Sequence, residues 1–280
     1  MSSSTAAAAA NAQKAAGAPR SAEPGAWKWR LAGIATVLVL WQIAAEIIGS
    51  NAVLPGPIRV ADNFITNFAG SPALTYLGLE LSSYAGNLGY TGALVLSGWI
   101  IGGMLGLLIG TAAARFQWAR HVSEPVVAVF GVVPVLVAAP FFLVWFGFGP
   151  LGQFLLVAFF CMVMVCVVSQ ASALNLPPRY EEYAAMLGAG RWSRMRRVTI
   201  PATLSANLSG FRTALGQAWG LQAVAELLGS PAGVGRAIAL RAGTGDIASV
   251  LALLIALGCV ALAADLVLSA AVRKVTAWQS

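Results

Sequence analysis

The stretch YEEYAAMLGAGRWSRMRRVTIP, Tyr180 to Pro201, interrupts a chain otherwise written in alanine, leucine, valine and glycine. It sets Glu181 beside Glu182, spaces Gly188 from Gly190, and carries Arg191, Arg194, Arg196 and Arg197, with Arg179 just ahead. Pro177 and Pro178 end the preceding apolar run and restart the chain, since proline is tolerated in a first helical turn. Glu181 and Glu182 then fall where negative charge suits the helix dipole. Glu182, Met186 and Ala189 share one face, and Tyr183, Leu187 and Gly190 another. Gly188 and Gly190 permit a turn. A basic helix, Arg191–Arg197, is expected next, with Pro201 opening the following apolar run. A short polar helix of this kind needs water, whereas the segments on either side need lipid.

Composition sets those surroundings. The 280 residues are 59% hydrophobic and only 10% charged, with a mean hydropathy of +0.79. A soluble domain carries roughly 25% charged residues, so this chain cannot cover a globular surface. The net charge of +7 is no nucleic-acid signature, because the basic residues sit between apolar runs rather than among stacking aromatics. Cys161, Cys166 and Cys259 lie inside apolar runs without metal-ligand spacing and read as small buried hydrophobes.

Six segments approach the roughly 20 helical residues that span a bilayer: Trp29–Ile48, Gly89–Ala113, Val126–Phe146, Leu151–Ala171, Leu204–Leu228 and Ile247–Val272. The expected fold is an all-α integral membrane domain over residues 27–280. Residues 1–26 form an Ala/Ser-rich, disordered cytoplasmic tail. Between the first two spans, Leu74–Leu88 reads as an amphipathic helix. Thirteen Lys and Arg residues flank one side of the spans and three the other, with Arg212 inside the fifth. The asymmetry places both termini and the loop 175–201 in the cytoplasm. Gly98, Gly102, Gly106 and Gly110 recur every fourth residue and predict close backbone approach to a neighbouring helix.

Catalytic chemistry is missing. No lysine follows a glycine, so there is no phosphate loop, and GFGPLG (147–152) matches a dinucleotide pattern but follows a membrane helix. It reads as a tight outer turn. His121 stands beside Arg120 without nucleophile or metal-ligand neighbours. No catalytic, cofactor-binding or metal-binding residue is expected.

Two readings fit the polar stretch: arginines resting on lipid headgroups, or a small-residue helix entering a groove on another protein. The stretch resembles the EAA loop of permease subunits of ATP-binding-cassette (ABC) importers. Glu182, Ala184 and Gly188 take the Glu, second Ala and Gly of that pattern, and Val198, Ile200 and Pro201 take its I-x-L-P end. Tyr183 stands where the family has its first alanine. LPGPIRV (54–60), VPVLVAAPFFLVWFGFG (133–149) and AELLGSPAGVGRAI (225–238) are similar to further segments of the nitrate/sulfonate/taurine/bicarbonate subfamily, in the same order.

The resemblance implies a type I importer permease fold in the inner membrane, acting as a homodimer. It implies a non-catalytic chain that binds no cofactor itself, with ATP and Mg on partner ATPase subunits and an extracytoplasmic protein delivering substrate. Glu182, Tyr183, Ala184, Leu187 and Gly188 become the ATPase-coupling residues, and the cargo a small anionic solute such as nitrate, a sulfonate, taurine, bicarbonate or an organic carboxylate. The competing reading is a self-contained secondary transporter or channel, which would need its own ion relay and would leave the loop unexplained.

In the fifth span, Ser205, Ser209, Arg212, Gly216, Trp219 and Glu226 fall in one stripe, with Gln222 at its edge. Such a stripe suits a translocation path, with Arg212 as a cationic point for an anion. Two placements stay open for Arg212, the path or a snorkel to the inner interface. Glu226 is expected at the outer interface. About 21 Å of helix axis separates the two, so they cannot pair. Asp265 is expected at an interface or paired.

Overall fold

The structure, a computed structural model, describes residues 26–132 and 135–276, and every regular element among them is helical. Residues 1–25 of the expected tail lie outside the described residues. The chain divides into two units, Met1–Ser50 and Asn51–Ser280. The first contains α1, Ala26–Ile48, along which Gln42 donates to Glu46 Oε1 at 2.9 Å.

The second unit runs through α2 (Pro57–Asn67), α3 (Pro72–Tyr76), α4 (Tyr84–Arg115), α5 (Gln117–Val132), α6 (Val135–Phe146) and α7 (Pro150–Leu174). It continues through α8 (Arg179–Met186), α9 (Arg191–Arg194), a π-helical turn at Met195–Thr199, α10 (Ile200–Ala202), α11 (Leu204–Leu227), α12 (Val234–Gly243) and α13 (Ile247–Thr276). Among the described residues, four helices are long and apolar enough to cross a membrane: α1, α4, α7 and α13.

The other two expected spans differ for separate reasons. The third starts earlier than Val126 and is described on either side of residues 133–134. Helix begins at Gln117, directly after Phe116, and is described as α5 and α6, with Pro125 and Pro140 inside them. The fifth is one continuous helix, α11, but Arg212, Gln217, Gln222 and Glu226 hold down its apolar character. The expected amphipathic helix Leu74–Leu88 is absent. Gly78 turns the chain at φ +76, and Ser83 starts α4 by accepting from Gly86 N at 3.0 Å, a side-chain N-cap. The strongly two-faced helix of this region is α2 instead.

The core is the seam between α4 and α7. Gly98, Gly102, Gly106 and Gly110 face α7. A Cβ on Gly102 would overlap the Ala158 carbonyl, one on Gly106 the Met162 carbonyl, and one on Gly110 the Cys166 carbonyl. Absent side chains let the two backbones touch, and in lipid van der Waals packing of this kind drives helix association. The neighbouring Gly103 fits the Phe211 ring of α11, and Trp99 Nε1 donates to the Phe211 carbonyl at 2.8 Å. Thus α4 holds α7 on one face and α11 on the next. Cys161 and Cys166 are buried in this seam, whereas Cys259, expected inside, lies exposed on α13.

Candidate coupling elbow and membrane stripe

The polar stretch builds a helix that closes on a glycine. α8 ends where Gly188 takes φ +77. Ala189 N donates to Ala184 O at 3.0 Å and Gly188 N to Ala185 O at 2.9 Å. This pair of reversed bonds satisfies carbonyls that the last turn would otherwise leave open. Gly190, the other expected turn residue, has ordinary extended backbone and precedes α9.

On this short helix, Tyr183 is 64% exposed, Met186 81% and Leu187 87%. Glu182 and Gly188 are exposed as well, and Ala184 is half-buried. Tyr183, Met186 and Leu187 leave an uncovered apolar patch on a polar element. The expected basic helix is shorter than read, giving way at Met195 to the π-turn. Pro201 explains that departure, because its ring crowds the carbonyl four residues back and supplies no N–H. Side chains bond along the next turn: Thr203 Oγ1 donates to Thr199 O at 2.8 Å, and Asn207 Nδ2 donates to Thr203 Oγ1 at 2.9 Å. Helical backbone runs from Arg191 to Leu227, departing from α-geometry at the π-turn Met195–Thr199 and at Thr203.

The stripe on α11 divides into two halves. Ser205, Ser209, Arg212 and Gly216 are exposed, whereas Trp219, Gln222 and Glu226 are buried. Arg212 is paired: Nε meets Asp265 Oδ1 at 2.6 Å and Nη2 meets Oδ2 at 2.7 Å, a two-pronged contact from α11 to α13. Nothing in the spacing of these residues, 53 apart in sequence, announces the pair.

Glu226 does not snorkel out of the protein. It has no exposed surface, because α12 folds back over it. Its carboxylate accepts from Thr91 Oγ1 at 2.9 Å, from Gln222 Nε2 at 2.8 Å and from Gly235 N at 2.8 Å. The last partner is in the first turn of α12, where the helix dipole favours negative charge. Gly233, at φ +107, lies so close that a Cβ there would meet both carboxylate oxygens at 2.5 Å.

Around Glu226 a polar lock joins four helices. Gln153 Oε1 accepts from Gln222 Nε2 at 2.8 Å, and Gln153 Nε2 donates to Ser230 Oγ at 2.8 Å. Asn87 Oδ1 accepts from Gly233 N at 2.8 Å, and Thr91 Oγ1 accepts from Val234 N at 3.0 Å. Asn87, Thr91, Gln153 and Ser230 escaped the sequence reading. Their signal is amide and hydroxyl side chains placed inside apolar runs, where each must find a partner within the protein.

A family model described as the binding-protein-dependent transport system inner membrane component matches residues 102–277. A Bacillus subtilis protein provisionally named as an aliphatic sulfonates transport permease is 29% identical over 72% of this chain and 69% of its own length. The taurine transport system permease protein of Escherichia coli is 25% identical over 90% of this chain and 93% of its own. The riboflavin transport system permease protein of Chloroflexus aurantiacus is 25% identical over 94% and 96%. In fold, the chain is similar to a chain of the MetNI methionine ABC transporter, with a TM-score of 0.62 and 19% identity over 74% of this chain and 99% of that one.

Proposed function

Since this chain belongs to the family of binding-protein-dependent transport system inner membrane components, we propose that α8 and its glycine elbow form the joint through which a partner ATPase drives the membrane helices. The chain is a permease subunit of an importer, without catalytic chemistry of its own, and it resides in the inner membrane. The observation that carries the proposal is the exposed trio Tyr183, Met186 and Leu187 on a helix closed by Gly188. Glu182–Gly188 enters a cleft of the ATPase, Leu187 fills an apolar pocket, and half-buried Ala184 permits close approach. ATP and Mg stay on that partner, and an extracytoplasmic binding protein delivers the cargo.

The remaining features follow from this joint. The chain crosses the membrane six times with α8 and both termini in the cytoplasm, the third crossing made by α5 and α6 and the fifth by α11. Two copies form the pathway between them. Closure of the ATPases displaces α8, and the helical backbone beyond the elbow transmits the displacement to α11. The exposed half of α11, from Ser205 to Gly216, faces the path. Glu226 and its partners hold the other half fixed to α4, α7 and α12. The cargo is a small anionic solute, in keeping with the sulfonate and taurine names of two relatives.

The test is co-purification of the ATPase with wild-type, Glu182→Lys and Gly188→Val permeases, followed by substrate-stimulated ATP hydrolysis. The left-handed backbone at Gly188 resists a β-branched residue, and a non-glycine residue there costs about 1–2 kcal/mol. Loss of coupled hydrolysis in both variants, with membrane insertion intact, is the expected result. Full retention of the ATPase and of coupled hydrolysis in both would remove α8 from the mechanism.

A further inference from the structure

Two cavities meet beside the π-turn, and their chemistries are opposite. One is an apolar groove of about 500 Å³ between α4, α5 and α7, lined by residues including Leu108, Ala112, Trp118, Val122, Val126 and Trp192. The other, about 410 Å³, is lined by Arg115, Gln117, Arg191, Arg194 and Met195. Met195 lines both, so the apolar groove and the three arginines adjoin across one buried side chain. No acidic residue lines either cavity. Glu124, on the same helix as Trp118, pairs with Arg120 at 3.5 Å instead. Arg115 Nη2 donates to the Ala173 carbonyl at 2.8 Å and is thereby fixed at the cavity wall. Arg194 Nε is buried and bonds to nothing among the described residues.

We propose that this composite cavity is a binding site for an anionic phospholipid, its phosphate held by Arg115, Arg191 and Arg194 and one acyl chain lying in the groove. Charge complementarity selects the occupant. Arginine matches phosphate oxygens with a planar fork of donors, and a free anion would leave the adjoining apolar groove unfilled. Groove and arginines lie at the end of α4 nearest the elbow, where a headgroup would sit and the acyl chain would extend toward the membrane interior. Both arginines of α9 and the α4 terminus then bind one molecule, which ties the segment following the elbow to the α4–α5 corner. This occupancy does not depend on the coupling role of α8.

The test uses the full-length chain, with its co-purifying subunits, in nanodiscs of phosphatidylcholine containing a minor fraction of phosphatidylglycerol. Bound lipid is read by native mass spectrometry after transfer to detergent. Wild-type protein is expected to retain phosphatidylglycerol about tenfold over its share of the nanodisc lipid. The double variant Arg191→Gln/Arg194→Gln should fall to that share, and Arg191→Lys/Arg194→Lys should recover part of the preference. Ala112→Phe, which fills the groove, should lower retention with all three arginines present. Melting temperature and size-exclusion profile identify any variant that has lost its fold. Millimolar inorganic phosphate or glycerol phosphate should fail to displace the lipid; full displacement would make the site a free-anion site and overturn the proposal. Unselective retention by the wild type, or unchanged preference in the folded glutamine variant, would overturn it equally.

Discussion

The interior around Glu226 and the elbow at Gly188 are opposite solutions to placing unsuitable residues. At Glu226 a carboxylate sits in the middle of apolar helices, and the chain supplies its partners from α4, α11 and α12. At the elbow, Met186 and Leu187 stand exposed, and no described residue covers them. A buried polar group without partners costs free energy, which is why the first region is completed internally. On the proposed function, the exposed apolar trio is completed by another protein. Changes in the first region should therefore damage the fold, and changes in the second should damage association while the fold survives.

The largest effect is expected at Gly102. Gly102→Leu forces a side chain onto the Ala158 carbonyl, backbone that cannot swing aside. Overpacking costs about 1–3 kcal/mol where side chains can adjust, so this site should lie at or above the top of that range. Monodisperse protein should be lost on size exclusion. Gly89→Ala, where an added Cβ meets nothing within 4 Å, is the matched control and should behave as wild type. Equal behaviour of the two would show that the α4–α7 seam is looser than its geometry.

Glu226 comes next. Glu226→Leu strands Thr91 Oγ1 and Gly235 N as donors, at about 1–3 kcal/mol for each one left buried and unpaired, and leaves Gln222 Nε2 with its bond to Gln153 alone. Glu226→Gln keeps one carbonyl oxygen and should cost less. Thermal unfolding in detergent should order the three proteins as wild type, Gln, Leu. A Leu variant as stable as wild type would mean that the lock is not what holds α12 down.

At the elbow the readout changes. Leu187→Ser should leave the melting temperature unaltered, because Leu187 touches little of its own chain. An interface anchor truncated in this way loses about 2 kcal/mol, or roughly thirtyfold in ATPase affinity. Binding of the purified ATPase to the reconstituted variant checks it. A drop in stability without loss of binding would merge the two regions and end the contrast.

How much of this was legible follows from the range over which each signal acts. The glycine row of α4 and the elbow at Gly188 were readable because periodicity and backbone freedom are local properties. Ser83 as a helix start was equally local, yet the apolar run beginning at Leu74 masked it. Glu226 was misplaced because its stripe position says only which way it points from α11. What covers it is α12, reached through the turn at Gly229–Gly233, and neither that turn nor Thr91 enters a helical wheel. The early start of the third span at Gln117 was hidden because Arg120, His121 and Glu124 make its first turns polar, and an apolar window skips them. The pairing of Arg212 with Asp265 depends on how α13 packs against α11, which no spacing encodes.

That pair gives the smallest expected effect on the fold and joins the two halves of the comparison. Like Glu226, Arg212 is satisfied within the chain; like Leu187, it is exposed, its side chain at 55% against 29% for Asp265. A pair facing a water-filled path contributes little to stability, so on the proposed function Arg212→Gln and Asp265→Asn should each melt within about 2 °C of wild type. Their effects on transport should differ in sign. If the exposed half of α11 faces the path, Arg212→Gln leaves Asp265 as an uncompensated negative charge, which repels an anionic solute and lowers its uptake. Asp265→Asn leaves the guanidinium unneutralised, so anion uptake should hold or rise at low substrate concentration. Uptake into proteoliposomes containing the assembled importer measures both. Opposite changes place the pair on the path; unchanged uptake in both variants, at normal assembly, makes it a tie between α11 and α13 that faces lipid.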